Sequence, residues 1–563
     1  MANEFDVIVV GSGAAGMAAA CVAAGEGCSV LLLEQAALVG GTTAISGGMV
    51  WLPANHRAAE AGMPDTLDAA RTYLEQTVPG QDRRRIESFL RHGGEALRYL
   101  EERTALRLQP VPTYPDYYPQ LPGATLRGRV LEPQPYDGRA LGRDFALLRP
   151  PLPEFTLFGG MMISRQDIPH LRRVGRSLRS ALHVSRLLAR HALQRLRAPR
   201  GTSLYLGNAL AARLLQSVRQ CGVQLRTGVR VERLLRGESG RVVGVDIMDA
   251  GGARGSAQAR RGVILATGGL SDCPELRSRF VPAQAGALSA TVAADGAARG
   301  ARLALEVGAQ LSQPTQAGAF WVPASVFTRA DGSRGLFPHT VTDRAKPGLI
   351  AVGRDGRRFT NEAVSYHEFV RAQLAQQERA LPAWLVCDAR FLWKYGLGRV
   401  RPFAWSLRSE VAQGYLKRAP SIVALADAIG VPAAALESTM ADYNRHAHAG
   451  RDPAFGRGGD AYQRHLGDAE RQPNPCVAPI ERGPFYAVAV WPADLGMSAG
   501  IVTDHAARVL SVGGPIPGLY ACGNDMASVM EGAYPGPGIT LGPALTFAYL
   551  AARDAARSIP DET

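Results

Sequence analysis

The chain has 563 residues, 46% of them hydrophobic and 20% charged, enough for two or three packed domains and too ordinary a mixture for a disordered or fibrous protein. No run of 18 apolar residues occurs, which excludes a membrane-spanning helix. The seven cysteines (Cys21, Cys28, Cys221, Cys273, Cys387, Cys476 and Cys522) are scattered without metal-ligand spacing, which fits reduced thiols and no metal site. The net charge of +13 rests almost wholly on arginine, since Lys346, Lys394 and Lys417 are the only lysines.

In chain order, Asp6 to Val10 is predicted as a buried parallel strand running into Gly11-Ser12-Gly13-Ala14-Ala15-Gly16 and an Ala-rich helix. Gly11 allows the tight turn, Gly13 lets the backbone approach a pyrophosphate, and Gly16 lets helix pack on strand. The amides around Ala14 and Ala15, at the helix start, face the phosphate charge. A second strand, Ser29 to Leu33, ends at Glu34, where an acid hydrogen-bonds ribose hydroxyls. The first strand begins almost at once, with no cleavable leader before it, so a cytoplasmic location is expected. Residues 40–48 follow, and Gly41, Thr42, Thr43, Ser46, Gly47 and Gly48 suit a loop lying along the middle of an extended dinucleotide.

Ten arginines and a single acid, Asp167, lie between Arg165 and Arg200. On a helical wheel Leu171, Val174, Leu178, Leu182, Leu188, Ala192, Leu193 and Leu196 share one face, Arg172, Arg173, Arg176, Arg179, Arg186, Arg190 and Arg197 crowd the other, and Leu187 is misplaced. Such a basic amphipathic helix fits either an anionic membrane surface or packing on its own domain with a solvated arginine face. Leucine rather than stacking aromatics alternates with the charge, which argues against nucleic acid. Phe155 to Ile163, just before it, is read as inserting beside the helix or as core.

Further on, Val263 to Leu265 is a strand ending at Thr267 and Gly268, and Gly518 to Ala521 is another, ending at Gly523, Asn524 and Asp525. Between them, Gly353 to Phe359 reads as a hairpin with an Asp-Gly turn, followed by helices over 421–429 and 433–446. The expected organisation is a cofactor domain split into 1–290 and 490–563, with a catalytic domain over 291–489. No second dinucleotide fingerprint is present, so NAD(P)H is not expected to supply or take the electrons. The last motif is Tyr534-Pro535-Gly536-Pro537-Gly538-Ile539-Thr540-Leu541. A rigidly held phenol and backbone amide there can form an oxyanion hole for a ketone oxygen.

This ordered set resembles the FAD-dependent succinate dehydrogenase, fumarate reductase and 3-ketosteroid dehydrogenase superfamily, and the Tyr534–Gly538 motif resembles the 3-ketosteroid Δ1-dehydrogenases in particular. Arg357 to Tyr366 and Pro115 to Pro119 match two further segments of that family. The resemblance implies an α/β fold, a Rossmann-like FAD-binding domain with an inserted α+β catalytic domain. It implies that the Tyr534 hydroxyl and Gly538 N–H hold the steroid C3 carbonyl, that Tyr366 takes the C2 proton, and that a tyrosine of the 115–119 loop supports it. Tyr118 is assigned that role, with Tyr117 second. A phenol has a free pKa of about 10, so a neighbouring phenol is expected to stabilise the Tyr366 phenolate. Thr267, Gly268, Gly523, Asn524 and Leu541 join the cofactor contacts. Non-covalent FAD is expected, because no histidine lies in 40–48.

Three other readings stay open: a Δ4-dehydrogenase, a fumarate reductase-like dicarboxylate enzyme, and, outside enzymes, a flavin-binding membrane adaptor. If the basic helix meets lipid, the protein is peripheral on the inner face of the cell membrane, the substrate is a membrane-dissolved sterone such as a cholestenone, and a quinone is a plausible acceptor.

Overall fold

The run of apolar residues after Glu4 forms the strand Glu4–Val10, and the alanines after it form the helix Ala14–Gly25, buried along most of its length. Small residues are needed where the two meet. In this computed structural model, which describes residues 4–80, 82–175, 177–292, 299–313 and 318–558, a Cβ on Gly16 would lie 1.8 Å from the Gly11 carbonyl oxygen. A Cβ on Gly11 would lie 2.2 Å from the Ala266 oxygen, and its φ of +105° also favours glycine.

Five strands then run parallel, in the order Gln224–Thr227, Val30–Glu34, Glu4–Val10, Arg254–Leu265 and Gly514–Ala521. Arg508–Ser511 closes one edge antiparallel, and the hairpin Val229–Arg236 with Val242–Asp249 pairs onto Arg254–Leu265. Both ends of the chain therefore share one sheet. The strand ends at Val10, Glu34, Leu265 and Ala521 point the same way, so the loops that follow them gather at one edge, where doubly wound sheets bind their ligands.

A second, antiparallel sheet has the order Arg334–Pro338, Ala319–Thr328, Phe485–Met497, Ala383–Asp388 and Leu349–Val352, with Lys417–Ala419 also paired to Phe485–Met497. Its central strand runs across residue 490. The tight turn after Leu349–Val352 is closed by the Gly353 N–H donating to the Arg357 carbonyl at 2.9 Å. The helices Ile422–Ile429, capped by Ser421, and Ala433–Ala447 follow. Asp494, fully buried on the central strand, accepts from Ser271 (2.7 Å), Ser289 (2.9 Å) and Arg277, and so pins this sheet to the cofactor sheet.

The basic segment differs from the single amphipathic helix expected. It forms two helices, Asp167–Arg172 and Leu178–Arg195, and Arg176 lies outside the described residues. Leu178–Arg195 rests on the body through Ser180, Val184, Leu187 and His191, whereas Leu178, Leu182, Leu188 and Leu193 are exposed. The helix thus packs on its own domain with its arginines exposed, but through a side other than the leucine face. The polar Ser180 and His191 find partners below, His170 of the helix Asp167–Arg172 and the Phe158 carbonyl, and Val184 and Leu187, the latter misplaced on the wheel, are the apolar contacts. Of the preceding stretch, Met161 and Met162 are buried and Phe158 is exposed. No described helix is long and apolar enough to cross a membrane.

Candidate active site

The glycines of the first turn divide their work. Gly11 and Gly16 are closed by packing, but a Cβ on Gly13 would meet nothing nearer than Thr43 Oγ1 at 4.0 Å. Gly47 and Gly268 likewise face open space. These positions keep backbone amides approachable, which is what a pyrophosphate and an extended cofactor require. Ala14–Gly25 has no side-chain cap from its Gly13 N-cap, and among the described residues the Ala14 N–H is taken by Thr43 Oγ1 at 3.0 Å. The amides of Ala15 and Gly16 remain at the positive helix end. Glu34 is held by the Ser12 N–H (2.9 Å), the Ser12 hydroxyl (2.6 Å) and the Ala36 N–H (2.9 Å), which fixes its carboxylate beside the turn.

Residues 41–45 form a 3₁₀ turn that brings Gly41 against Gly13. Thr42 Oγ1 accepts from the Val292 N–H (3.0 Å), Ser46 Oγ from the Gly48 N–H (3.0 Å), and Gly48 itself packs on Gly207. Thr267 and Gly268 meet Gly523 and Asn524 through Asp525, a residue whose role sequence reasoning passed over. Its buried carboxylate accepts from the Thr267 N–H (2.5 Å), the Thr267 hydroxyl (2.9 Å) and the Gly269 N–H (2.9 Å), joining two turns whose bonded residues lie 256 and 258 apart in sequence. Burial raises the Asp525 pKa against these bonds. Phe320, Met497, Asn524, Ile539 and Thr540 line a cleft beside these turns, next to Leu541 at the start of the last helix, Leu541–Arg557. The cradle fits FAD.

The tyrosines converge beyond this cleft. Tyr366 opens the helix Tyr366–Ala375, capped by Ser365, whose hydroxyl accepts from the Glu368 N–H at 3.3 Å. The polar residues before it form a buried rack: Arg358 donates to Glu362 (2.8 and 2.7 Å) and to Asp452 (2.8 Å), and Arg457 to Glu362 (3.1 Å). Tyr534 is carried by the turn before the last helix. There Pro535 O accepts from the Tyr117 N–H (2.9 Å) and the Tyr73 hydroxyl (2.6 Å). The Tyr366 hydroxyl donates to that of Tyr534 at 2.8 Å. Gly538 has φ +96°, and a Cβ there would lie 2.6 Å from the Met49 backbone, so the turn admits only glycine at that point.

Tyr117, not Tyr118, completes the cluster. Its ring stacks on Tyr534 (5.5 Å between centroids) and meets Tyr366 edge-on (5.8 Å). Tyr118 points away, and its hydroxyl donates to Glu368 at 2.8 Å. Tyr462, which no motif marked, packs on Tyr117 at 4.6 Å, and Phe320 meets Tyr534 at 5.4 Å. Tyr114, in the same loop, is buried with its hydroxyl unpartnered among the described residues, as is that of Tyr117.

Burial decides the electrostatics. It pushes Tyr534 up to about 12, against the hydrogen bond to Tyr366, and holds Tyr366 well above the usual phenol value. The stabilised Tyr366 phenolate expected from a neighbouring phenol is therefore not favoured by the protein alone; desolvation outweighs the neighbour. His367, whose Nδ1 accepts from the Trp321 N–H at 3.1 Å, is held down to about 3 by burial and stays neutral.

A family described as the FAD binding domain matches residues 6–541. The chain belongs to it. It is 39% identical, over 98% of its length and 94% of the relative's, to a 4-oxocyclohex-2-ene-1-carboxylate 5-dehydrogenase of Sinomonas cyclohexanicum. It is 36% identical, over 98% of both chains, to a 3-oxosteroid 1-dehydrogenase of Mycobacterium tuberculosis. Among solved structures, the 3-ketosteroid Δ1-dehydrogenase of Sterolibacterium denitrificans in complex with 1,4-androstadiene-3,17-dione superposes with a TM-score of 0.90 at 36% identity, covering 98% of this chain and 99% of that one. The fold and the FAD cofactor are those of this family.

Proposed function

We propose that this chain is an FAD-dependent 3-ketosteroid Δ1-dehydrogenase. The observation that carries the reading is the 2.8 Å contact between the Tyr366 and Tyr534 hydroxyls, one phenol on each sheet's unit, beside the Gly538 turn. Tyr534 and the Gly538 N–H donate to the C3 oxygen and stabilise the enolate that develops as the C2 proton leaves. Tyr366, once ionised, takes that proton, and the Tyr534 hydroxyl, whose oxygen accepts from Tyr366 in this structure, keeps its own proton to donate to the ketone. FAD, held without a covalent bond, supplies the acceptor for the C1 hydride. Tyr117 orients Tyr366. An external acceptor, such as a quinone, then takes the electrons.

The relative named for a 4-oxocyclohexene carboxylate suggests a second reading with the same chemistry at a smaller ring. A carboxylate substrate needs a free cation, and two that lie near the cluster are committed. Arg344 donates to the carbonyls of His339, Thr340, Glu362 and Val364, and Arg165 pairs with Glu132 at 3.2 Å. Anaerobic titration of the yellow protein separates these readings. Bleaching by androst-4-ene-3,17-dione, with a 1,4-diene-3-one product, is expected. Bleaching by 4-oxocyclohexanecarboxylate alone would transfer the function to the small ring, and reoxidation of dithionite-reduced protein by fumarate alone would make it a reductase.

A further inference from the structure

We propose that two sequence-remote patches form one docking face for an anionic lipid bilayer. The first is the outer side of Leu178–Arg195 and its flanks. Leu178 is 91% exposed, Leu193 66% and Leu196 81%, with Leu182 beside them. Phe158, 65% exposed, lies in the loop under this helix, where its carbonyl accepts from His191 Nε2 at 3.0 Å. Single exposed leucines need no explanation, but a contiguous group of this kind does. Arg179, Arg186, Arg195 and Arg197 are exposed among these leucines without an ion pair among the described residues. Long arginine stems let leucines sink while the guanidinium groups stay at headgroup level.

The second patch is aromatic, and no sequence motif signalled it. Trp405 is 95% exposed, with Trp393 at 6.2 Å between rings, and Trp393 in turn meets Phe403 at 5.5 Å. Exposed tryptophans are the side chains that prefer a membrane interface. Three polar links set this patch beside the first. Arg401 donates to the Thr156 carbonyl, two residues before Phe158; Arg173 pairs with Glu470; and Lys394, next to Trp393, pairs with Asp468 at 2.5 Å. Leucine, tryptophan and unpaired arginine on one side fit acidic headgroups. A second copy of this face does not fit, because its arginines would meet their like.

The face adjoins the active site. Arg165, at the start of the segment, lies over the Tyr114 ring (5.4 Å), with Nη2 3.7 Å from Met49 Sδ. On the steroid reading, an apolar substrate would pass from bilayer to pocket beside this arginine. That consequence rests on the proposed function, whereas the docking does not.

The test is co-sedimentation of the full-length holoenzyme with phosphatidylcholine vesicles, with and without phosphatidylglycerol. Binding only to the anionic vesicles, weakened by high salt, is expected. The R179E/R186E/R195E triple variant and, separately, W405A should each lose about tenfold or more in partitioning while keeping the flavin spectrum and bleaching by a water-soluble steroid. Wild-type protein that stays off anionic vesicles overturns the proposal, as do variants that bind as tightly. A wild-type dimer that L193E converts to a monomer, without vesicle binding, also overturns it and makes the face an interface between copies. Failure of steroid bleaching with intact vesicle binding would instead sink the proposed reaction and leave the docking in place.

Discussion

A phenol serves as a base only in the fraction that is ionised, and at Tyr366 burial keeps that fraction small. Log kcat/KM should therefore rise by about one per pH unit between pH 7 and 9, since the folded pKa lies above the free value of about 10. The fold itself is unaffected in that window. Raised phenols contribute stability fully below the unfolded pKa and lose it only as pH climbs past it toward the folded value. A rate that is flat from pH 7 to 9 would show that Tyr366 is not the base. His367, held neutral down to about 3, adds no step to the profile. The adjacent pair Tyr117 and Tyr118 separates equally sharply. Tyr117→Ala, which removes the ring stacked on Tyr534 and set edge-on to Tyr366, should lower kcat about tenfold with KM little changed. Tyr118→Phe, which removes only a bond to the partly exposed Glu368, should stay within about twofold. The reverse ranking in steady-state kinetics would restore Tyr118.

Elements place these side chains because each is braced by a buried charge. The 114–118 loop is tied down by Asp116, fully buried, which accepts from Trp51 Nε1 (2.8 Å), the Thr125 N–H (2.9 Å) and Arg129 Nη1 (2.9 Å). Arg129 in turn pairs with Asp65 at 2.9 Å. Asp116→Ala leaves half of a buried network uncompensated, which costs about 3 kcal/mol. Urea unfolding should report that loss, and Tyr117 and the Pro535 carbonyl it holds should slip, lowering kcat more than FAD affinity. A change below about 1 kcal/mol would mean that Asp65 alone carries Arg129. The cofactor turn was readable in advance because its constraints are local. Strand, glycine spacing and terminal acid lie within residues 6–34, and a Cβ at Gly16 would collide with the Gly11 carbonyl of the same turn. The helix Leu178–Arg195 was readable as amphipathic but not in its orientation. Its charge pattern is local, whereas the side that packs depends on partners near residues 158, 170 and 203.

Across the whole molecule, one pattern separates what is local from what is not. The N-terminal fingerprint, the split of the cofactor sheet between both ends of the chain, and the presence of three tyrosines in motifs of one family were all contained in the order of residues. Apolar runs, glycine spacing and motif order are properties of the chain itself. That Tyr117 rather than Tyr118 packs against Tyr366 and Tyr534 was not contained there, because adjacent residues differ only in which way the loop turns. Asp525 as the brace between Thr267 and Asn524, and Tyr462 behind Tyr117, join segments hundreds of residues apart, and no spacing rule connects them. The raised phenol pKa values are likewise tertiary, since desolvation depends on what closes over a group. Composition and periodicity determined the kind of protein. Burial and long-range packing decided which side chains meet, which way the basic helix faces, and how hard Tyr366 must be driven to give up its proton.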